Sequence, residues 1–218
     1  MKHLTISEQF FLLVMNKKGT IGALNDYGKV SLVMAGLLDL QNAEVIEIRD
    51  SEVLILNAEL PVEYSGLAPL VEKLQSLKKR TLEKVADAYG GTFLEKELSL
   101  LIASIREQLI KKGLVSKKSE EGIFGEKINW YADEPEIERI IHSIRKSFSS
   151  MEENLDQLAL VLLLQKSNAL TQYLSKHDQK MIKDELKALK RSDLAKDIQK
   201  MMGVIDQLYT VLAVAVII

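Results

Sequence analysis

The sequence predicts a mainly α fold: a single helical domain over residues 1–218 that carries two small β-hairpins. Three observations lead there. Apolar residues recur at three- and four-residue spacing through most of the chain. Strand-like alternation is confined to two short stretches, each next to a polar turn. No repeat, low-complexity run or Pro/Gly-rich linker divides the 218 residues.

The elements follow in order. Thr5-Ile6-Ser7-Glu8 has capping-box spacing, so a helix starts there and runs through Phe10, Phe11, Leu13 and Val14 to a turn at Asn16-Lys17-Lys18-Gly19. Val30, Val33, Met34, Leu37 and Leu38 form one stripe of a second helix over 27–40. A hairpin follows, its strands at 43–48 and 53–56 and its turn at Arg49-Asp50-Ser51-Glu52. Helical spacing returns over 67–77 and again up to Tyr89, where Gly90-Gly91 breaks it. The clearest helix covers 95–112, with Leu98, Leu101, Ile102, Ile105 and Leu109 on one face and Gly113 as a left-handed cap.

A second hairpin is expected with its polar turn at residues 117–122, between Leu114-Val115 and Ile123-Phe124 with Ile128 to Tyr131. Pro135 suits the first turn of the next helix, whose core face is Ile137, Ile140, Ile141 and Ile144. Residues 158–164 are apolar all round, which predicts a central buried helix. Residues 176–202 read as a charge-rich amphipathic helix, and Gly203 introduces an apolar last helix. Its tail, 211–218, is far short of the ~20 apolar residues a bilayer span needs.

Composition narrows function. A 47% apolar and 28% charged chain is globular rather than disordered, and a net charge of −2 argues against a strongly basic nucleic-acid binder. The absence of cysteine removes thiolate catalysis and disulfides and suits a reducing cytoplasm. No signal peptide opens the sequence, because Glu8 interrupts any apolar run. Any membrane contact is therefore expected to be peripheral, at the cytoplasmic face.

No phosphate loop, dinucleotide fingerprint or paired-histidine metal helix occurs, and His3, His142 and His177 fall in separate elements. Neither an enzyme, a cofactor nor a metal is expected. Positive charge is the remaining signal: Lys78-Lys79-Arg80, Lys111-Lys112, Lys117-Lys118, and the series Lys176, Lys180, Lys183, Lys187, Lys190 and Arg191 along one helix. Trp130-Tyr131, on a hairpin strand, marks either an oligomer or membrane contact or the packing of the hairpin onto the domain.

Leu4-Thr5-Ile6-Ser7-Glu8-Gln9-Phe10-Phe11-Leu12-Leu13 resembles the opening of the Golgi phosphoprotein 3 family. The Lys-Lys-Gly turn, Asn25-Asp26, Leu37-Leu38-Asp39-Leu40, Ile105-Arg106-Glu107-Gln108-Leu109 and Lys112-Gly113-Leu114-Val115 follow in the family's order. The resemblance covers nearly the whole chain, which looks like a bacterial-type member. It implies a non-enzymatic peripheral membrane adaptor of the kind that binds phosphatidylinositol 4-phosphate. Lys29 and Arg106 are then the lipid-binding residues, and the hairpin bearing Ile123, Phe124 and Trp130 is the oligomerisation element. The implied partners are an anionic headgroup, a further copy of the chain and an unidentified protein, with no nucleic acid. The phosphoinositide pocket is only partly matched: Leu24 and Val33 stand where eukaryotic members carry tryptophan and arginine, and Ala103 aligns with a further arginine.

Two alternatives stay open on sequence grounds. One is a soluble protein-interaction domain without lipid binding. The other is a winged-helix-like DNA-binding module, with residues 95–112 as recognition helix and the second hairpin as wing.

Overall fold

The computed structural model describes residues 3–22, 25–57, 59–89, 95–122, 125–150, 154–189, 203, 205–207 and 209–210. The fold is mainly helical, with two separate two-stranded antiparallel sheets among the described residues.

Helix α1 (Ile6–Val14) begins at the expected capping box. The Thr5 hydroxyl accepts from the Glu8 amide while the Glu8 carboxylate accepts from the Thr5 amide. Its four consecutive residues Phe10, Phe11, Leu12 and Leu13 are all buried, so the helix is enclosed rather than laid down on one stripe. Enclosure of each phenyl ring contributes about 2 kcal/mol of transfer free energy. The enclosing partners are α2 (Asp26–Asn42), α5 (Glu95–Lys111), α6 (Glu134–Ser150) and α7 (Leu155–Lys166). Residues 158–164 of α7 are buried without exception, as their unbroken apolar run requires.

The first sheet pairs β1 (Ile46–Arg49) with β2 (Glu52–Ile55). Its turn is the two residues Asp50 and Ser51, both at positive φ (48° and 71°), the backbone that a tight hairpin needs to match strand twist. A 3-10 turn (Val62–Leu67), which no sequence pattern announces, leads into α3 (Ala68–Ser76), and α4 (Leu82–Tyr89) follows. The break expected at Gly90-Gly91 lies outside the described residues.

Helix α5 ends as its sequence requires. Gly113 takes φ 68°, its amide donates to the Ile110 carbonyl at 2.8 Å, and the Leu114 amide donates to Leu109 at 2.9 Å. That pair of bonds is a Schellman cap. The helix packs against α1, α3, α4 and the 3-10 turn.

The second hairpin corrects one expectation. Residues 117–122, expected as a polar turn, belong to strand β3 (Val115–Gly122), which pairs with β4 (Gly125–Ala132) from Val115↔Ala132 to Gly122↔Gly125. The stretch is polar because the ribbon is solvated on this part, not because the chain reverses. Cross-strand contacts such as Ser119 with Glu126, and Glu120 with Asn129 and Tyr131, supply the pairing. Ile123 and Phe124, between the strands, lie outside the described residues.

Pro135 occupies the first turn of α6, and Ile140, Ile141 and Ile144 are buried with Ile137 packed beside them. Helix α8 (Lys176–Leu189) covers the start of the charge-rich stretch. Residues 203, 205–207 and 209–210 are helical, and the apolar tail expected at 211–218 is outside the described residues.

Candidate functional site

The α1–α2 connection is built around Asn16. Its carbonyl accepts from the Gly19 amide at 2.9 Å, its amide donates to Thr20 at 2.9 Å, and its side chain accepts from the Lys18 amide at 2.9 Å. This tight closure leaves the side chains of Lys17 and Lys18 in solvent and Gly19 buried.

The base of the second hairpin docks on that turn. The Trp130 amide donates to the Lys17 carbonyl at 2.9 Å, and the indole lies over Gly19 so closely that a Cβ there would stand 2.6 Å from the ring. Gly19 also has φ 69°, so glycine is required twice over. The Arg106 guanidinium from α5 sits 4.3 Å from the indole centroid and donates from Nη1 to the Gly19 carbonyl at 2.6 Å. Burial lowers the Arg106 pKa, yet arginine starts so high that the group stays charged.

Beside this brace opens a groove of about 500 Å³. Lys17 and Lys18 come from the turn, Lys29 from the first turn of α2, and Lys127 and Asn129 from β4; Leu98, Ser99 and Ile102 of α5 form the apolar side. Among the described residues, four lysines line it and no carboxylate does. Lys29 is held by Asp26 at 2.9 Å. Asn129 is only 3% exposed, and its amide nitrogen donates to Glu120 at 2.7 Å. Its carbonyl oxygen is buried with no partner among the described residues. The groove thus offers a cationic rim beside an apolar wall, a chemistry suited to anions.

Of the residues singled out from the sequence, Lys29 lines this groove. Arg106 and Trp130 meet each other instead, as the brace behind it. Trp130 is half-buried against the core, which corresponds to the packing alternative for that ring. Ile123 and Phe124 cannot be placed, being outside the described residues. Among the basic clusters, Lys112 turns inward to Glu8 at 2.6 Å, and Arg80 donates to the Leu74 carbonyl at the end of α3 at 2.8 Å, whereas Lys117 and Lys118 are exposed. Lys17, Lys18 and Lys127 join the site without a motif that marks them as site residues. The lysine pair in a tight turn was the available signal for the first two, and nothing local marks Lys127. Among the described residues no group of three or more His, Asp or Glu side chains is placed to hold a metal ion.

Fold and groove together define a helical domain whose conspicuous surface is a basic recess at the foot of a β-ribbon. No described helix is long and apolar enough to cross a membrane. The family model for Golgi phosphoprotein 3 (GPP34) matches residues 6–204, from the start of α1 almost to Ile205, and the chain belongs to that family. No curated protein matches it significantly.

Proposed function

We propose that the chain is a non-enzymatic peripheral membrane protein that docks anionic lipid headgroups in the lysine groove, with the β3–β4 ribbon as its self-association element. One observation carries this reading: lysines from three separate elements converge on one recess with no carboxylate among its described lining residues, in a chain whose net charge is −2. Family membership agrees with it. Each lysine held near an anionic surface contributes about 1 kcal/mol, so the cluster supplies reversible, salt-sensitive attachment. Ammonium groups are point charges without the planar fork of arginine, so the groove reads charge density more than headgroup shape.

The test is flotation with phosphatidylcholine vesicles of graded phosphatidylglycerol content, with and without phosphatidylinositol 4-phosphate, at low and high salt. Binding should follow total negative charge, fall with salt and drop strongly in Lys17→Glu/Lys18→Glu. Absence of flotation at every composition would refute the membrane role and direct attention to protein partners.

A further inference from the structure

A second basic surface lies away from this groove, on α8. Ile182 and Leu186 bury one side of that helix. Lys176, Lys180, Lys183 and Lys187 follow at intervals of four, three and four, which places them in one row, and all four are exposed. The row spans eleven residues, roughly 16 Å of helix. Asp184 accompanies Lys187 at 3.4 Å, while Lys176, Lys180 and Lys183 make no ion pair among the described residues.

The row is not a plain solvated face, because its end borders a recess of about 290 Å³ between α7, α8 and the helical residues 205–207. Leu162, Leu186 and Ile205, all buried residues, supply its apolar floor. Lys183 and Lys187 stand on one rim and Lys166 on another. Lys166 is fixed there by Asp206 at 2.7 Å and by the Tyr209 ring at 5.3 Å. Asp206 and Gln165 also line the recess, so three lysines face one carboxylate and the border is net cationic among the described residues. A concave apolar floor with that border and a cationic row leading from it selects a particular occupant. A flat bilayer would leave the recess unfilled, and a polyphosphate has nothing apolar to put in it.

We infer that this surface docks an acidic amphipathic helix of a partner protein. Its carboxylates pair with the row at Lys176, Lys180 and Lys183, and one apolar side chain enters the recess over Leu162 and Ile205. This inference is independent of lipid binding at the other groove.

The probe is a fluorescein-labelled helical peptide with glutamates at positions i, i+4, i+7 and i+11 and leucines on the adjoining stripe, set against a version with every leucine replaced by serine. The full chain is titrated with each, and with phosphatidylglycerol vesicles. The leucine peptide should bind saturably and at least about tenfold more tightly than the serine version. Lys183→Glu/Lys187→Glu should cost about tenfold in peptide affinity, with its denaturation midpoint and vesicle binding unchanged. Lys17→Glu/Lys18→Glu should leave peptide binding intact, and methyl resonances of Leu162 and Ile205 should shift on titration. Equal binding of the two peptides, no saturable binding, or an α8 variant that loses vesicle binding while keeping peptide binding would each overturn the assignment.

Discussion

Arg106 and Trp130 form a cation–π pair, guanidinium to indole centroid 4.3 Å, and the same guanidinium donates to the Gly19 carbonyl. Arg106 thus joins the hairpin to the α1–α2 turn. A two-stranded ribbon is marginal by itself, so its docking depends on contacts at its base. Trp130→Ala should therefore cost about 2 kcal/mol for a half-buried ring. Arg106→Lys should keep the charge but lose the planar guanidinium that reaches both the indole and the Gly19 carbonyl. Urea denaturation and amide exchange at β4 check both: exchange should quicken along the ribbon before the helices are affected.

The same brace makes a sharper claim about Gly19. Alanine there would suffer a left-handed backbone and a Cβ 2.6 Å from the indole. Gly19→Ala should destabilise by about 2 kcal/mol, and the part due to the indole, but not the left-handed strain, should be relieved when Trp130 is also reduced to alanine. A double-mutant cycle reads the coupling directly, and additive effects would show that the ring gives way without cost.

Glu8 and Lys112 present a different balance. Glu8 is 2% exposed, it accepts from the Thr5 amide at the head of α1, and Lys112 at the end of α5 lies 2.6 Å away. Removing the ammonium leaves a carboxylate in the core, so Lys112→Met should cost about 3 kcal/mol. The double variant Glu8→Gln/Lys112→Met keeps a side chain able to accept from Thr5 without the buried charge, and it should recover much of the loss. Equilibrium denaturation of the three variants decides the matter; equal losses in Lys112→Met and the double variant would exclude the charge as the cause.

The contrast between local and distant signals explains what was legible. The Thr5–Glu8 capping box, the Gly113 cap and the enclosed run 158–164 are written within a few residues, and each appears where its spacing put it. The 117–122 stretch misled because polar residues mark a solvated strand as readily as a turn, and only the cross-strand register separates the two. The groove was least legible. Lys17 and Lys127 are brought together by the Trp130 amide bonding to Lys17, a contact no local pattern contains. The contact of Arg106 with Trp130 joins residues 24 positions apart and has no local signal.

Asp39 gives the fold a pH signature. Its buried carboxylate accepts the amides of Ile6 at 2.8 Å and Ser7 at 2.9 Å and the Ser7 hydroxyl at 2.5 Å, so it caps the start of α1 from α2. Burial pushes its pKa from 3.8 up to about 6, against the pull of those hydrogen bonds. In the unfolded chain the group titrates at its ordinary, lower value. Between these two values the folded state holds more protons than the unfolded state, so stability falls as pH rises. The contribution is complete below about pH 4 and gone above about pH 6, a span worth about 3 kcal/mol. Asp39→Asn removes the titration at the cost of one misdirected amide. Its stability relative to the natural chain should therefore improve by about 3 kcal/mol from pH 4 to pH 7. Parallel urea denaturation of the two proteins across that range measures the difference, and parallel pH profiles would remove Asp39 as its source.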